Sequence, residues 1–308
     1  MMALSKPPVT SPPPNSNAAT ARTGPPCPII APVVFATSGF SPPTARAAYA
    51  NDLVRLVTSA FAARAEGELR LGEDAIAAAV LAGYRRAIDG RAPSFLIAGS
   101  DDWIGKLLAL RKRDAAAFWT KLAAGELVRP GDVPRAAALG LARSLPVAIT
   151  DAKIHRRRSG LGGLGRPRFV ALAHVDGAML AREAKPTLPS AGAWALGLAP
   201  TSLRPVMRLA KAGASPDPTR KIARGWLVRR LAPDCVRVEL DAIPSKRHDA
   251  RLLTAMGAAC ASLHRASART IPAILAHLDA QPAGWVAQAG RQMLAAVDTD
   301  WQSWRRAD

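Results

Sequence analysis

Acidic residues are scarce in this chain of 308 residues: 23 Asp and Glu stand against 42 Lys and Arg, a formal charge of +19. That deficit excludes an acidic, solvating tail protein, and 49% hydrophobic residues exclude a chain disordered throughout. Cysteine is also scarce. The three, at 27, 235 and 260, are too few and too scattered for a disulfide framework or a zinc site. No stretch of about eighteen residues stays apolar, so no membrane span and a cytoplasmic setting are expected. Aromatics make up only 5%, which leaves the arginines without the interleaved stacking platform of a single-stranded nucleic-acid binder. The five histidines (155, 174, 248, 264, 277) show no metal spacing, so no metal site is expected.

What is abundant is arginine, 33 of the 42 basic residues, and a charge of this sign points to phosphate-bearing partners. Residues 1–48 contain Pro7-Pro8, Pro12-Pro13-Pro14, Pro25-Pro26 and Pro42-Pro43 and no acidic residue, a composition expected to be disordered. From Asn51 the pattern turns helical. Leu53, Leu56, Val57 and Phe61 recur at helical spacing, as do Ile76, Val80, Tyr84 and Ile88 after Gly72. Further helices are expected over 101–124 and 133–144.

Beyond residue 147 the period shortens. Segments at 167–174, 179–185, 225–231 and 236–240 read as strands of one antiparallel sheet, the first two joined by a turn at Val175-Asp176-Gly177. Helices resume at about 249–266, 271–278 and 282–296, and Trp285, Trp301 and Trp304 fall at helical intervals that suggest packing. The expected fold is therefore α+β, mostly helical with one small antiparallel sheet. It divides into a Pro-rich segment (1–48), a helical region (49–146), a small β-rich lobe (147–245) and C-terminal helices (246–308).

The segment Ser159-Gly160-Leu161-Gly162-Gly163-Leu164-Gly165 carries the chemistry. Glycines at this density let successive N–H groups face one concavity, which suits phosphate oxygens. Lys185, on the second strand of the following hairpin, could reach back to those phosphates as a point charge. The glycines lead into a strand rather than a helix, and no Gly-Lys-Ser/Thr follows, so neither a dinucleotide fingerprint nor a P-loop is present. A plain surface loop beside a solvated lysine satisfies the same spacing. Neighbouring Arg156-Arg157-Arg158 could instead track a nucleic-acid backbone, the less favoured alternative, and an inactive remnant with no ligand is the third.

The stretches Ser159-Gly-Leu-Gly-Gly-Leu-Gly-Arg-Pro-Arg-Phe-Val170, Ala181-Arg-Glu-Ala-Lys185, Pro189-Ser190-Ala191, Gly225-Trp-Leu-Val-Arg-Arg-Leu-Ala-Pro-Asp-Cys235 and Met256-Gly257…His264 resemble a bacterial domain-of-unknown-function family, number 2252. Tyr49-Ala-Asn-Asp-Leu-Val-Arg-Leu-Val-Thr-Ser59 resembles the block after that family's acidic motif. The family is grouped by resemblance with protein-kinase-like folds. The resemblance implies a nucleotide, ATP with Mg, held by Ser159, Gly160, Gly162, Gly163, Gly165 and Lys185. Before the Tyr49 block the family carries Gly-Asp-x-His-x-x-Asn-Phe-Gly and Asn-Asp-Phe-Asp-Glu segments. Here the matching stretch, Phe35-Ala-Thr-Ser-Gly-Phe-Ser-Pro-Pro-Thr-Ala-Arg46, contains no Asp, Glu, His or Asn. Phosphoryl transfer depends on such groups, so the expectation is a truncated member with an incomplete catalytic lobe and no catalytic residue, residues 1–48 being unrelated or out of frame. Asp52 is expected to be structural and paired with Arg55, His264 to be a satisfied core or interdomain histidine, and Cys235 and Cys260 to be buried hydrophobes.

Overall fold

The computed structural model describes residues 45–90, 114–158, 166–187, 220–233, 240, 243–265 and 268–307. Seven helices and one five-stranded antiparallel sheet make up these residues, an α+β arrangement that is mostly helical. The helices are α1 (Ala45–Ala65), α2 (Glu73–Ile88), α3 (Ala115–Ala123), α4 (Arg135–Ala142), α5 (Lys246–His264), α6 (Ile271–Asp279) and α7 (Trp285–Ala307). The strands are β1 (Lys153–Arg156), β2 (Phe169–Val175), β3 (Ala178–Pro186), β4 (Lys221–Ala223) and β5 (Trp226–Leu231), in the order β1-β2-β3-β5-β4.

Helices α1, α2, α5, α6 and α7 share one core, in which Leu53, Val57, Phe61, Ile76, Val80, Tyr84, Leu253 and Leu278 are buried. Fully burying a side chain of this size contributes about 1.5–3 kcal/mol. Two glycines set how closely α2 and α5 approach. A Cβ at Gly83 would stand 1.9 Å from the Thr254 carbonyl oxygen, and one at Gly257 would stand 2.1 Å from that of Val80. The helices therefore touch backbone to backbone. Three polar side chains are enclosed where they meet: His264 lies 2.7 Å from the Tyr84 hydroxyl through Nδ1 and 3.2 Å from Asp52 through Nε2. An Nε2–H donating to the Asp52 carboxylate leaves Nδ1 free to accept from Tyr84, so one neutral tautomer satisfies both contacts.

The sheet forms a second packing unit. The run Phe169-Val-Ala-Leu-Ala173 of β2 is buried on both faces because each face has its own helix. On one, Ile154, Phe169, Ala171, Ala184, Trp226 and Val228 pack with Ala137 and Leu141 of α4. On the other, Val170, Leu172, Ala181 and Leu231 pack with Phe118, Trp119 and Leu122 of α3. Hairpin β2–β3 turns on Asp176 and Gly177, and β4–β5 on Arg224 and Gly225, all four at positive φ. That is the two-residue turn whose twist suits paired strands.

Several boundaries differ from expectation. Helix α1 reaches back to Ala45, inside the Pro-rich segment. The helix expected over 101–124 cannot be one element, because Asp114 is a non-helical N-cap that accepts from the Ala116 amide at 2.9 Å. Residues 101–113 lie outside the described residues, as do residues 1–44 and 236–239, the latter holding most of the last expected strand. Trp285 packs against the core, but Trp301 and Trp304 are exposed and stack on each other at 5.0 Å.

Candidate functional site

Strand register builds the site. His155 stands opposite Val170, Val170 opposite Glu183, and Glu183 opposite Arg229. Directly opposed residues share a sheet face, so these four form one row across β1, β2, β3 and β5. The next row lies two residues along each strand. Arg157 donates its amide to the Arg168 carbonyl at 2.9 Å, continuing the β1–β2 ladder, and Lys185 stands opposite Leu227. The face thus changes from apolar, at Leu172 and Ala181 under α3, to charged, at Arg157, Arg168, Glu183, Lys185 and Arg229. Arg157 and Arg168 are the stems of the connection that contains the glycine segment. Ser159, Gly160, Gly162, Gly163 and Gly165 themselves lie outside the described residues.

Glu183 is completely buried and three guanidiniums close on it. Arg157 bonds Oε1, Arg168 stands 3.7 Å from the same oxygen, and Arg229 holds Oε2 through Nε at 2.8 Å and Nη2 at 2.7 Å. Burial alone would raise the Glu183 carboxyl, but the charges and hydrogen bonds of Arg229 and Arg157 outweigh it and hold it below the ordinary range. Three cations on one carboxylate leave an excess of positive charge. Lys185 adds to it. Its ammonium is pushed down by burial and by the nearby charges of Arg229, Arg168 and Arg220, with Glu183 alone opposing. Arg220 has a buried Nε that meets no partner among the described residues. Among the described residues, then, three arginines close on Glu183, Lys185 and Arg220 add charge beside them, and the cations outnumber the carboxylate.

Of the residues singled out in the sequence, Lys185 belongs to this cluster, and Arg157 and Arg168 flank the glycines as the arginine run suggested. Glu183 and Arg229 were not anticipated. Their signal is the alternation: Glu183 is two residues from Lys185 on a strand, and Arg229 falls on the matching face of the neighbouring strand. Asp52 and His264 sit far from the cluster in chemistry as well as sequence, bonded to each other and to Arg55 and Tyr84 in the helical core. Cys260 is half-buried against that core, and burial with the Asp52 charge, opposed by Arg55, pushes its thiol up to about 12. A nucleophilic thiolate there is disfavoured.

Compared with protein-family models, with curated proteins and with solved structures, the chain matches none. Among the described residues no helix is long and apolar enough to cross a membrane, and no group of three or more His, Cys, Asp or Glu could hold a metal ion.

Proposed function

We propose that the chain binds the phosphates of a nucleotide at the charged end of its sheet, without transferring them. One observation carries this reading: Arg157, Arg168 and Arg229 close on Glu183, the one carboxylate of the cluster among the described residues, and Lys185 lies beside them under the charges of Arg229, Arg168 and Arg220. An ATP polyphosphate supplies the missing negative charge, and arginine forks meet its oxygens in pairs. Glycine amides at 159–165 extend the same contact in this reading. The layout of a glycine-rich connection followed by a lysine on a nearby strand is that of a kinase-like nucleotide lobe, which agrees with the resemblance to family 2252.

Magnesium fits this site less well than phosphate does. The one carboxylate of the cluster is taken up by three arginines, so a metal ion would arrive with the nucleotide and keep its ligands among phosphates and water. Among the described residues of the cluster no side chain is an acceptor free to take a proton from an attacking hydroxyl, which supports binding rather than transfer.

Thermal melting of the full chain with a ladder of ligands tests the reading. ATP and tripolyphosphate should raise the melting temperature most, AMP less, and adenosine not at all. A shift with adenosine equal to that with ATP, or no shift with any phosphate, would overturn it.

A further inference from the structure

A cleft of about 740 Å³ opens beside the charged row, between α3 and the end of β1. Its apolar wall is Phe118, Leu122 and Val170, and its rim carries Lys121, Arg156, Arg158 and Arg157, the last already paired with Glu183. His155 marks it as a built site. His155 is 5% exposed, and the strand that carries it is fixed on either side, the Arg156 amide donating to the Glu126 carbonyl and the Val128 amide to that of Ile154. The His155 Nδ1 donates to the Gly125 carbonyl at 2.9 Å, since a carbonyl can only accept. That leaves Nε2 of the neutral ring as an acceptor, and Nε2 is buried with no partner among the described residues. An orphaned buried acceptor costs about 1–3 kcal/mol, a penalty that a ligand offering a donor removes.

The charges say what else the ligand carries. Arg156 is paired with Glu126 at 3.5 Å, and Asp114, the one acidic side chain lining the cleft, caps the Ala116 amide. Lys121 and Arg158 have no ion pair among the described residues. Two uncompensated cations match a dianionic phosphate better than a single carboxylate. The volume lies in the range of small-molecule sites, about 300–1,000 Å³.

We propose that this cleft is a second ligand site, which takes a small phosphorylated hydroxy compound of the sugar-phosphate class. The phosphate meets Lys121 and Arg158, a hydroxyl donates to His155 Nε2, and the carbon skeleton lies on Phe118. The cleft shares Arg157 with the charged row, but Lys185, Arg220 and Arg229 do not line it, so substitutions at those positions separate this proposal from the nucleotide reading.

The test is a titration of the full chain, carrying ¹⁵N-labelled histidine, with ribose 5-phosphate and glycerol 3-phosphate, using ribose as control. Saturable binding that moves the His155 Nε2 resonance is expected, with no effect of ribose. Lys121→Ala, at an exposed position where folding is not at stake, should weaken binding about tenfold, and His155→Phe about fivefold. Lys185→Ala should leave it unchanged. The proposal is overturned by no saturable binding of either phosphate up to about 10 mM, a dissociation constant above that value corresponding to under about 3 kcal/mol. It is equally overturned by affinity that survives Lys121→Ala, by affinity lost in Lys185→Ala, or by tighter, salt-sensitive binding of single-stranded RNA that displaces the sugar phosphate.

Discussion

Arg157 and Arg168 lie side by side at the end of the β1–β2 hairpin, joined backbone to backbone at 2.9 Å, and both turn their guanidiniums onto Glu183. Two like charges are thus held at the two stems of the glycine connection by one buried carboxylate. Glu183 is the keystone of the arrangement. Removing its charge should do more than remove one ion pair.

Glu183→Gln is expected to destabilise the protein by about 3 kcal/mol, the low end for breaking a buried pair, because the arginines retain some water. Urea unfolding of the variant beside the parent chain checks this, and a loss under about 1 kcal/mol would show that the arginines do not depend on Glu183. The pH dependence has a definite sign. Folding lowers the Glu183 pKa from its ordinary 4.5, so the unfolded chain binds the extra proton. Its contribution is full above about pH 5 and is lost as the pH falls through the folded value. The difference between Glu183→Gln and the parent should therefore shrink steadily below pH 4.5.

Lys185 behaves in the opposite way. Burial and neighbouring arginines depress its pKa in the fold, so its charged form costs stability at neutral pH. Lys185→Met should raise the melting temperature by roughly 2 °C at pH 7. The gain should fade as the pH rises through the lowered folded value and be gone above about 10.5, where lysine in the unfolded chain has also lost its proton. A variant that melts lower at pH 7 would mean that Lys185 is a stabilising partner of Glu183 instead of a cation held for a ligand.

The helical core makes a separate prediction. Gly257→Ala pushes a methyl into the Val80 carbonyl of the facing helix, where only backbone movement relieves it. A loss of about 2–3 kcal/mol is expected. Gly131, whose Cβ would meet nothing within 4 Å, is the control, and Gly131→Ala should be neutral or mildly stabilising. Equal effects of the two substitutions in denaturant melts would mean that α2 and α5 are not in backbone contact.

His264→Leu leaves the Asp52 carboxylate and the Tyr84 hydroxyl without their shared partner. The expected cost is about 2–3 kcal/mol, read from chemical denaturation. His264→Leu should leave nucleotide binding unaltered in the folded protein, since the relay touches no residue of the charged row. Loss of binding at full folding would move His264 into the functional machinery.

Much of the sheet was legible because its signals are local. Asp176-Gly177 takes positive φ at both turn positions, and the short apolar runs on either side of it mark the two strands of the hairpin. Strand β1 was missed, being four residues with a charge at either end, Lys153 and Arg156, and so was β4. The latter is three residues long and its turn begins with Arg224, which has no preference for positive φ, so only Gly225 marked it. Lys185 was legible as a charge among apolar residues, whereas the row it belongs to was not. Row membership depends on the register of four strands, and Arg229 is separated from Glu183 by 46 positions. His155 was visible only as a histidine without metal spacing. Its setting comes from the segment at 125–127 meeting β1, with Gly125 and His155 separated by 30 positions, a pairing that no periodicity records.

The ATP dissociation constant of the full chain, measured by calorimetry at fixed salt before and after Lys185→Ala, tests the central claim most directly. Losing one charged contact to phosphate should weaken binding about tenfold or more, with the variant still folded. Equal affinities in the two proteins, or no measurable affinity in the parent chain, would contradict the account.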